Sequence, residues 1–169
     1  DRVLEIGCGW GALAEMATTE FSASITGVTL STEQLAFANA RMQAHGVNQR
    51  ADLRLQDYRD IADAPFDAIC SIEMIEAVGE AHWPTYFKVL HDRLKPGGNA
   101  AIQAITIEDH RYQQALDSVD FIKRYIFPGS YIPCVSSMVA SGGGGSGAGG
   151  QGKAQPDRNP EQHSRGEDE

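Results

Sequence analysis

Val3-Leu4-Glu5-Ile6-Gly7-Cys8-Gly9-Trp10-Gly11 is the stretch that decides the fold. A short apolar run reads as a buried strand, and glycines at alternate positions then turn the chain at once toward a helix. Outward from this stretch the same alternation repeats. Ser24 to Thr29 reads as a second strand. Ser31 opens a helix at the capping-box spacing to Gln34, with Leu35, Ala38 and Met42 on one face and Gly46 at its end. Leu53 and Leu55 mark a third strand, and Phe66 to Ile72 a fourth that is expected to show Phe66, Ala68, Cys70 and Ile72 on one side. Trp83, Phe87, Leu90 and Leu94 recur at helical spacing and are expected in the core. Lys95-Pro96-Gly97-Gly98 breaks that helix before a fifth strand through Ala100, Ile102 and Ala104. Strands alternating with helices of this length predict an α/β protein with a parallel sheet covered on both faces.

Composition bounds the function classes. The chain has 169 residues, and 41% hydrophobic content supports one real core. A net charge of -9 leaves no basic footprint for phosphates, so no nucleic acid is expected as partner. Cys8, Cys70 and Cys134 are an odd, widely spaced set, which argues against a disulfide framework or zinc cluster and makes the cytoplasm the expected compartment. No apolar run is long enough to span a bilayer, so membrane contact is expected to be peripheral at most, at the inner face. From Ser141 onward the chain is Gly, Ser, Gln, Pro and charge. The expected organisation is therefore a folded unit over 1–140 and a disordered tail over 141–169. Because the chain opens in a central strand, it is expected to be part of something longer.

The chemistry starts at the glycine loop. Such a loop between strand and helix brings backbone and helix dipole to a nucleotide or nucleoside. Ala12 stands where a dinucleotide fingerprint has its third glycine, and Thr29 and Ser31 stand where that fold places a ribose-binding acid. Nicotinamide binding is disfavoured accordingly. Glu5, two positions before Gly7, suits the cationic methionine end of S-adenosylmethionine. Asp57, just past the third strand, is placed to bind an adenine amino group, with Tyr58 against the ring.

Four segments make the pattern specific: Leu4 to Gly11, Gly27-Val28-Thr29-Leu30-Ser31 with Gln34, Ser71-Ile72-Glu73-Met74-Ile75-Glu76-Ala77-Val78-Gly79, and Tyr125-Ile126-Phe127-Pro128-Gly129. Together they resemble the cyclopropane fatty acid synthases and their mycolic acid relatives, over roughly Asp1 to Met138. The resemblance implies a Rossmann-like, doubly wound, mostly parallel sheet of the class I methyltransferase type, incomplete at both ends. It implies transfer of the S-adenosylmethionine methyl to the cis double bond of an unsaturated phospholipid acyl chain, with proton loss closing a cyclopropane ring. By the same resemblance Glu5, Gly7, Gly9, Gly11, Thr29, Leu30, Ser31, Gln34, Asp57, Tyr58 and Arg59 bind the cofactor. Glu76, the backbone of Ile72, and Gln103 would hold a bicarbonate ion that serves as base. Gln103 falls where better-known members carry histidine, and amide nitrogen still donates a hydrogen bond.

The family supplies a bicarbonate-binding cysteine from upstream of the glycine loop and a tyrosine from downstream, and neither Cys8 nor Cys134 is placed to replace that cysteine. The chain by itself is therefore expected to be weakly active or inactive. Other readings stand beside cyclopropanation: a methyl-branching lipid enzyme, a methyltransferase acting on an amine or another small molecule, or a cofactor-binding fragment without turnover. His45, His82, His91, His110 and His163 lack metal-ligand spacing and read as solvated. Asp109-His110-Arg111-Tyr112 reads either as a cover over the site or as a connecting loop, and Phe121, Tyr125, Ile126 and Phe127 read as packing residues ahead of the alternative, contact with an acyl chain.

Overall fold

The structure is a computed structural model that describes residues 1–117 and 132–142. Five strands, β1 (Arg2–Ile6), β2 (Ser24–Thr29), β3 (Ala51–Leu55), β4 (Phe66–Ile72) and β5 (Leu94–Gln103), form one sheet in the order β3-β2-β1-β4-β5, and every pair is parallel. The helices are α1 (Ala12–Thr19), α2 (Thr32–Ala44), α3 (Ile75–Val78), α4 (Trp83–Arg93), α5 (Asp109–Asp117) and α6 (Val135–Gly142). The α/β class and the five strands are as the sequence predicts.

Each face of the sheet carries its own core. On one, Leu4, Ile6, Phe66 and Ile69 pack with Ile75 of α3 and with Trp83, Tyr86 and Leu90 of α4. On the other, Ile25 and Leu53 pack with Ala14 and Ala17 of α1 and with Ala38 and Met42 of α2. Two buried aromatic residues bring polar atoms inside and satisfy them. Trp83 Nε1 donates to Ile75 O at 3.1 Å, and Tyr86 Oη donates to Ser71 Oγ at 2.7 Å. Burial pushes the Tyr86 phenol up to about 12.

The helix over Thr32–Ala44 ends as its sequence asks. Gly46 has φ 67°, its N–H donates to Gln43 O, and Val47 N–H donates to Met42 O, which is a Schellman closure with Val47 folded onto the α2 side of the core. Its start differs from a full capping box. Ser31 Oγ accepts from Gln34 N–H at 3.2 Å, but the Gln34 side chain turns away to Thr29, whose Oγ1 donates to Gln34 Oε1 at 3.0 Å.

The expected face of β4 is corrected. A register irregularity between Phe66 and Ala68 shifts the alternation, so Phe66, Ile69 and Ser71 are buried, whereas Ala68 and Cys70 are half-buried and Ile72 is exposed. Leu94 opens β5 instead of closing α4, and the Lys95-Pro96-Gly97-Gly98 stretch lies inside that strand. Asp109-His110-Arg111-Tyr112 is helical, at the start of α5, and Asp109 accepts from Ser136 Oγ at 2.9 Å to tie α5 to α6. Helix α6 includes Ser141 and Gly142. The expected tail beyond them, the cluster Phe121, Tyr125, Ile126 and Phe127, the segment Tyr125 to Gly129, and His163 lie outside the described residues.

Gly11 is the tightest joint between the helices. It caps α1 with φ 79°, and a Cβ there would meet Ala38 Cβ at 2.9 Å. Glu15 one turn later accepts from Arg41 of α2, reinforcing the same contact. Gly11→Ala is expected to lower unfolding stability by about 2–4 kcal/mol, the sum of left-handed strain and overpacking, measured as a shift in urea midpoint.

Candidate functional site

A cavity of about 790 Å³ opens at the C-terminal ends of the central strands. In an open α/β sheet a crevice belongs at this edge, where connections from neighbouring strands diverge. Here β1 lies between β2 and β4, so the chain leaves β1 toward one side and later returns to the other.

The glycine loop forms the floor. Gly7 has φ 85°, and a Cβ on it would lie 2.3 Å from Met74 Sδ, so the loop is fitted beneath the segment that follows β4. Nothing stands within 4 Å of a Cβ built on Gly9, which faces open space in the cavity lining. The amides of Gly7 and Cys8 both donate to Val28 O, and that of Gly11 to Cys8 O, so these three groups serve the fold itself. Gly11 does not line the cavity; its place is the α1–α2 contact.

Two walls lie on the β2 and β3 side. Thr29, Leu30, Ser31 and Gln34 line the first, and the Thr29–Gln34 hydrogen bond fixes the polar groups facing in. Asp57, Tyr58 and Arg59 line the second. Asp57 caps a single turn over Tyr58–Asp60, accepting from Arg59 N–H at 2.9 Å, and its other oxygen takes Arg59 Nη2 at 2.6 Å. The Arg59 guanidinium holds the Asp57 carboxyl below the usual carboxylate range. Tyr58 meets Tyr86 edge-on at 5.7 Å, and burial pushes its phenol up.

The opposite wall follows β4: Ile72, Glu73, Met74, Ala77 and Val78, with His82 beyond. The sequence reading singled out Ile72 here and missed Glu73, Met74, Val78 and His82, as well as Gln56 on the far side. A positive φ at Glu73 is invisible to periodicity, and Gln56 had only its place before Asp57 to mark it. Glu76 and Gln103 do not line the cavity but sit just behind this wall. Glu76 Oε1 accepts from Ile105 N–H, and its buried Oε2 has no hydrogen-bond partner among the described residues. Gln103 is the ladder partner of Ile72, yet its Nε2 donates to Glu73 Oε1 at 3.2 Å and not to Glu76. The three residues expected to act together thus occupy one corner of the sheet, with separate partners.

Glu5 is the least accommodated group. It is 4% exposed, lies beneath the loop outside the cavity lining, and its Oε2 has no hydrogen-bond partner among the described residues. Burial raises its pKa from 4.5 to about 8, and its proximity adds to the burial that pushes the Cys8 thiol up to about 11. Among the described residues no group of His, Cys, Asp and Glu could hold a metal ion, and no helix is long and apolar enough to cross a membrane.

The raised Glu5 pKa sets a sign for stability. Between about 4.5 and about 8 the unfolded chain has released this proton and the folded chain keeps it, so stability falls as pH rises through that window. Glu5→Gln is expected to flatten the fall, which has a limiting slope of about 1.4 kcal/mol per pH unit. Urea unfolding of both proteins from about pH 5 to about pH 8 measures it, and parallel curves would refute the assignment.

Comparisons with known proteins bear on the fold and the family. The chain is 44% identical over 138 residues to the tuberculostearic acid methyltransferase UfaA1 of Mycobacterium tuberculosis, an alignment covering 82% of this chain and 32% of that protein. It is 39% identical over 140 residues to the cyclopropane-fatty-acyl-phospholipid synthase of Escherichia coli K12, covering 83% and 34%. The chain thus spans about a third of the length of these relatives. Among solved structures, the mycolic acid cyclopropane synthase CmaA1 complexed with SAH and CTAB superposes with a TM-score of 0.69 at 25% identity, over 83% of this chain and 52% of that one. The family model for mycolic acid cyclopropane synthetase matches residues 1–144, and with a matching sheet and relatives of this identity the chain belongs to that family.

Proposed function

We propose that the cleft binds S-adenosylmethionine and that the protein containing it transfers a methyl group to the double bond of a lipid acyl chain. The observation that carries this reading is the lining itself: an open glycine loop over β1, polar residues after β2 and an acid-aromatic pair after β3, side by side in one cavity. The residues fit the ligand at its charged end, because the orphaned Glu5 Oε2 beneath the loop lacks the positive charge that a methionine ammonium would bring. Thr29 and Gln34 would orient the ribose hydroxyls, and Asp57 with Tyr58 would hold the adenine. The name of the CmaA1 complex, which includes SAH, supports the same ligand class.

S-adenosylmethionine supplies an electrophilic methyl on a sulfonium. The chain's own residues orient that end against the wall after β4 and keep water from it with Ile72, Met74 and Val78. Attack by an acyl double bond on the methyl would break its bond to sulfur, release S-adenosylhomocysteine and leave a carbocation beside the new carbon, from which a base must then take a proton. Glu76 and the backbone of Ile72 would hold a bicarbonate ion, which would supply the base. Glu76 fits such a guest, since its unpaired buried Oε2 can accept a hydrogen bond, and the backbone of Ile72 is close by in the strand. Gln103 would reach it only by leaving Glu73.

Where the proton is lost decides the product. Loss from the transferred carbon closes a cyclopropane ring, and loss from the chain leaves a methyl branch beside a double bond. The first outcome is favoured by the family and by the Escherichia coli relative's name, the second by the name of the 44% identical mycobacterial relative. Fragmentation mass spectrometry of the acyl product separates the two.

Calorimetric titration with S-adenosylmethionine tests the cleft directly. Saturable binding is expected, weakened about tenfold or more in Asp57→Ala, where Arg59 loses its partner and the adenine amino group its acceptor. A folded chain that gives no binding heat would remove this reading.

A further inference from the structure

We infer that Glu73 is the carboxylate that meets positive charge at the methyl-transfer end of the cleft, an inference that rests on reading the cleft as an S-adenosylmethionine site. The sheet order fixes a linear order of loops: Asp57 to Arg59 follow β3, Thr29 to Gln34 follow β2, the glycine loop follows β1, and Glu73 is the first residue past β4. A ligand with adenine at the β3 end and ribose at β2 lays its methionine portion across β1. Its sulfonium then points toward the loop after β4, where Glu73 lines the cavity.

Glu73 is held there in a conformation that a residue with a side chain adopts only at a cost. Its φ is 53°, in the left-handed region, and it is one of two such non-glycine residues among those described. Two contacts to one partner hold it. Its N–H donates to Gln103 O at 2.9 Å, and its Oε1 accepts from Gln103 Nε2 at 3.2 Å. Oε2 makes no hydrogen bond or ion pair among the described residues. The other charged or titratable cavity groups do not neutralise it: Asp57 is an acid, Arg59 is engaged by Asp57, and His82 makes no ion pair with Glu73. Glu73 is exposed on the cavity lining, and a carboxylate there with one oxygen free, at the end of the cleft where a sulfonium would lie and an acyl carbocation would form, offers electrostatic stabilisation to both cations. Glycine would take this φ without strain, so the backbone alone gives no reason for glutamate.

S-adenosylmethionine and S-adenosylhomocysteine differ by the methyl and its charge, and that difference isolates Glu73. Both ligands are titrated calorimetrically against the 169-residue chain and its Glu73→Gln and Glu73→Gly variants. Loss of about fivefold in affinity for S-adenosylmethionine is expected in each variant, with S-adenosylhomocysteine changed by less than about twofold. Glu73→Gly is also expected to raise the melting temperature, because glycine relieves the left-handed strain. Unchanged affinity for both ligands, or equal loss for both, would overturn the role of Glu73 while leaving the cleft assignment standing. Failure of the folded wild-type chain to bind either ligand would instead sink the cleft assignment, and Glu73 with it.

Discussion

Everything in this molecule that resembles a site depends on the reversal of strand order at β1. Because β1 pairs with β2 on one side and β4 on the other, the loops leaving it and β4 separate, and a crevice opens without any residue having to carve it. The cores on the two sheet faces hold that crevice to a fixed width. Ala38 against Gly11 sets one side, and Met74 over Gly7 sets the other. Small residues at these positions are what lets helices and loop approach closely enough for the strand ends to form a common floor.

Buried Glu5 and half-buried Glu76 each bury one oxygen that finds no partner among the described residues. Burial of an unpaired polar atom costs about 1–3 kcal/mol, and two such atoms on adjacent strands or their loops would be a poor arrangement for stability alone. Each lies just outside the cavity lining, Glu5 under the floor and Glu76 behind the far wall. On the proposed reading, a ligand that brings charge or a hydrogen-bond donor to either place would recover the loss on binding. The acidic balance of the chain, -9 overall, suits a cationic ligand at the site better than it suits an anionic surface around it.

The sheet was legible because parallel strands buried on both faces are short apolar runs punctuated by glycine, and the ends of β2 and β4 could be read directly. What failed was any inference that assumed strict alternation. The irregularity at Phe66 to Ala68 inverts the face of β4, and nothing in Phe66-Asp67-Ala68-Ile69 announces it. Capping chemistry was half legible: Ser31 caps α2, but Gln34 answers Thr29, a competition that spacing alone does not resolve. At the site, residues belonging to local motifs were found and residues placed by distant partners were not. Asp57 and Arg59 bond to each other around Tyr58, their neighbour in sequence, whereas Glu73 depends on Gln103, thirty positions on.

That contrast separates the two halves of the cleft physically. The hydrogen bonds of the β2 and β3 walls close within a few residues, with Tyr58 also packed on Tyr86 of α4. The wall after β4 is tied to the strand end and loop after β5: Glu73 to Gln103, and Glu76 to Ile105. A substitution in that later segment would therefore act on the wall after β4 before it acts on the walls after β2 and β3. Glutamine at position 103 illustrates the point, since its amide can fix a carboxylate without ever neutralising it, whereas a titratable donor would make the charge at Glu73 depend on pH. On the proposed reading, a change at Gln103 or Ile105 would therefore act first on the wall that faces the acyl chain, and the residues after β2 and β3 would keep their own hydrogen bonds.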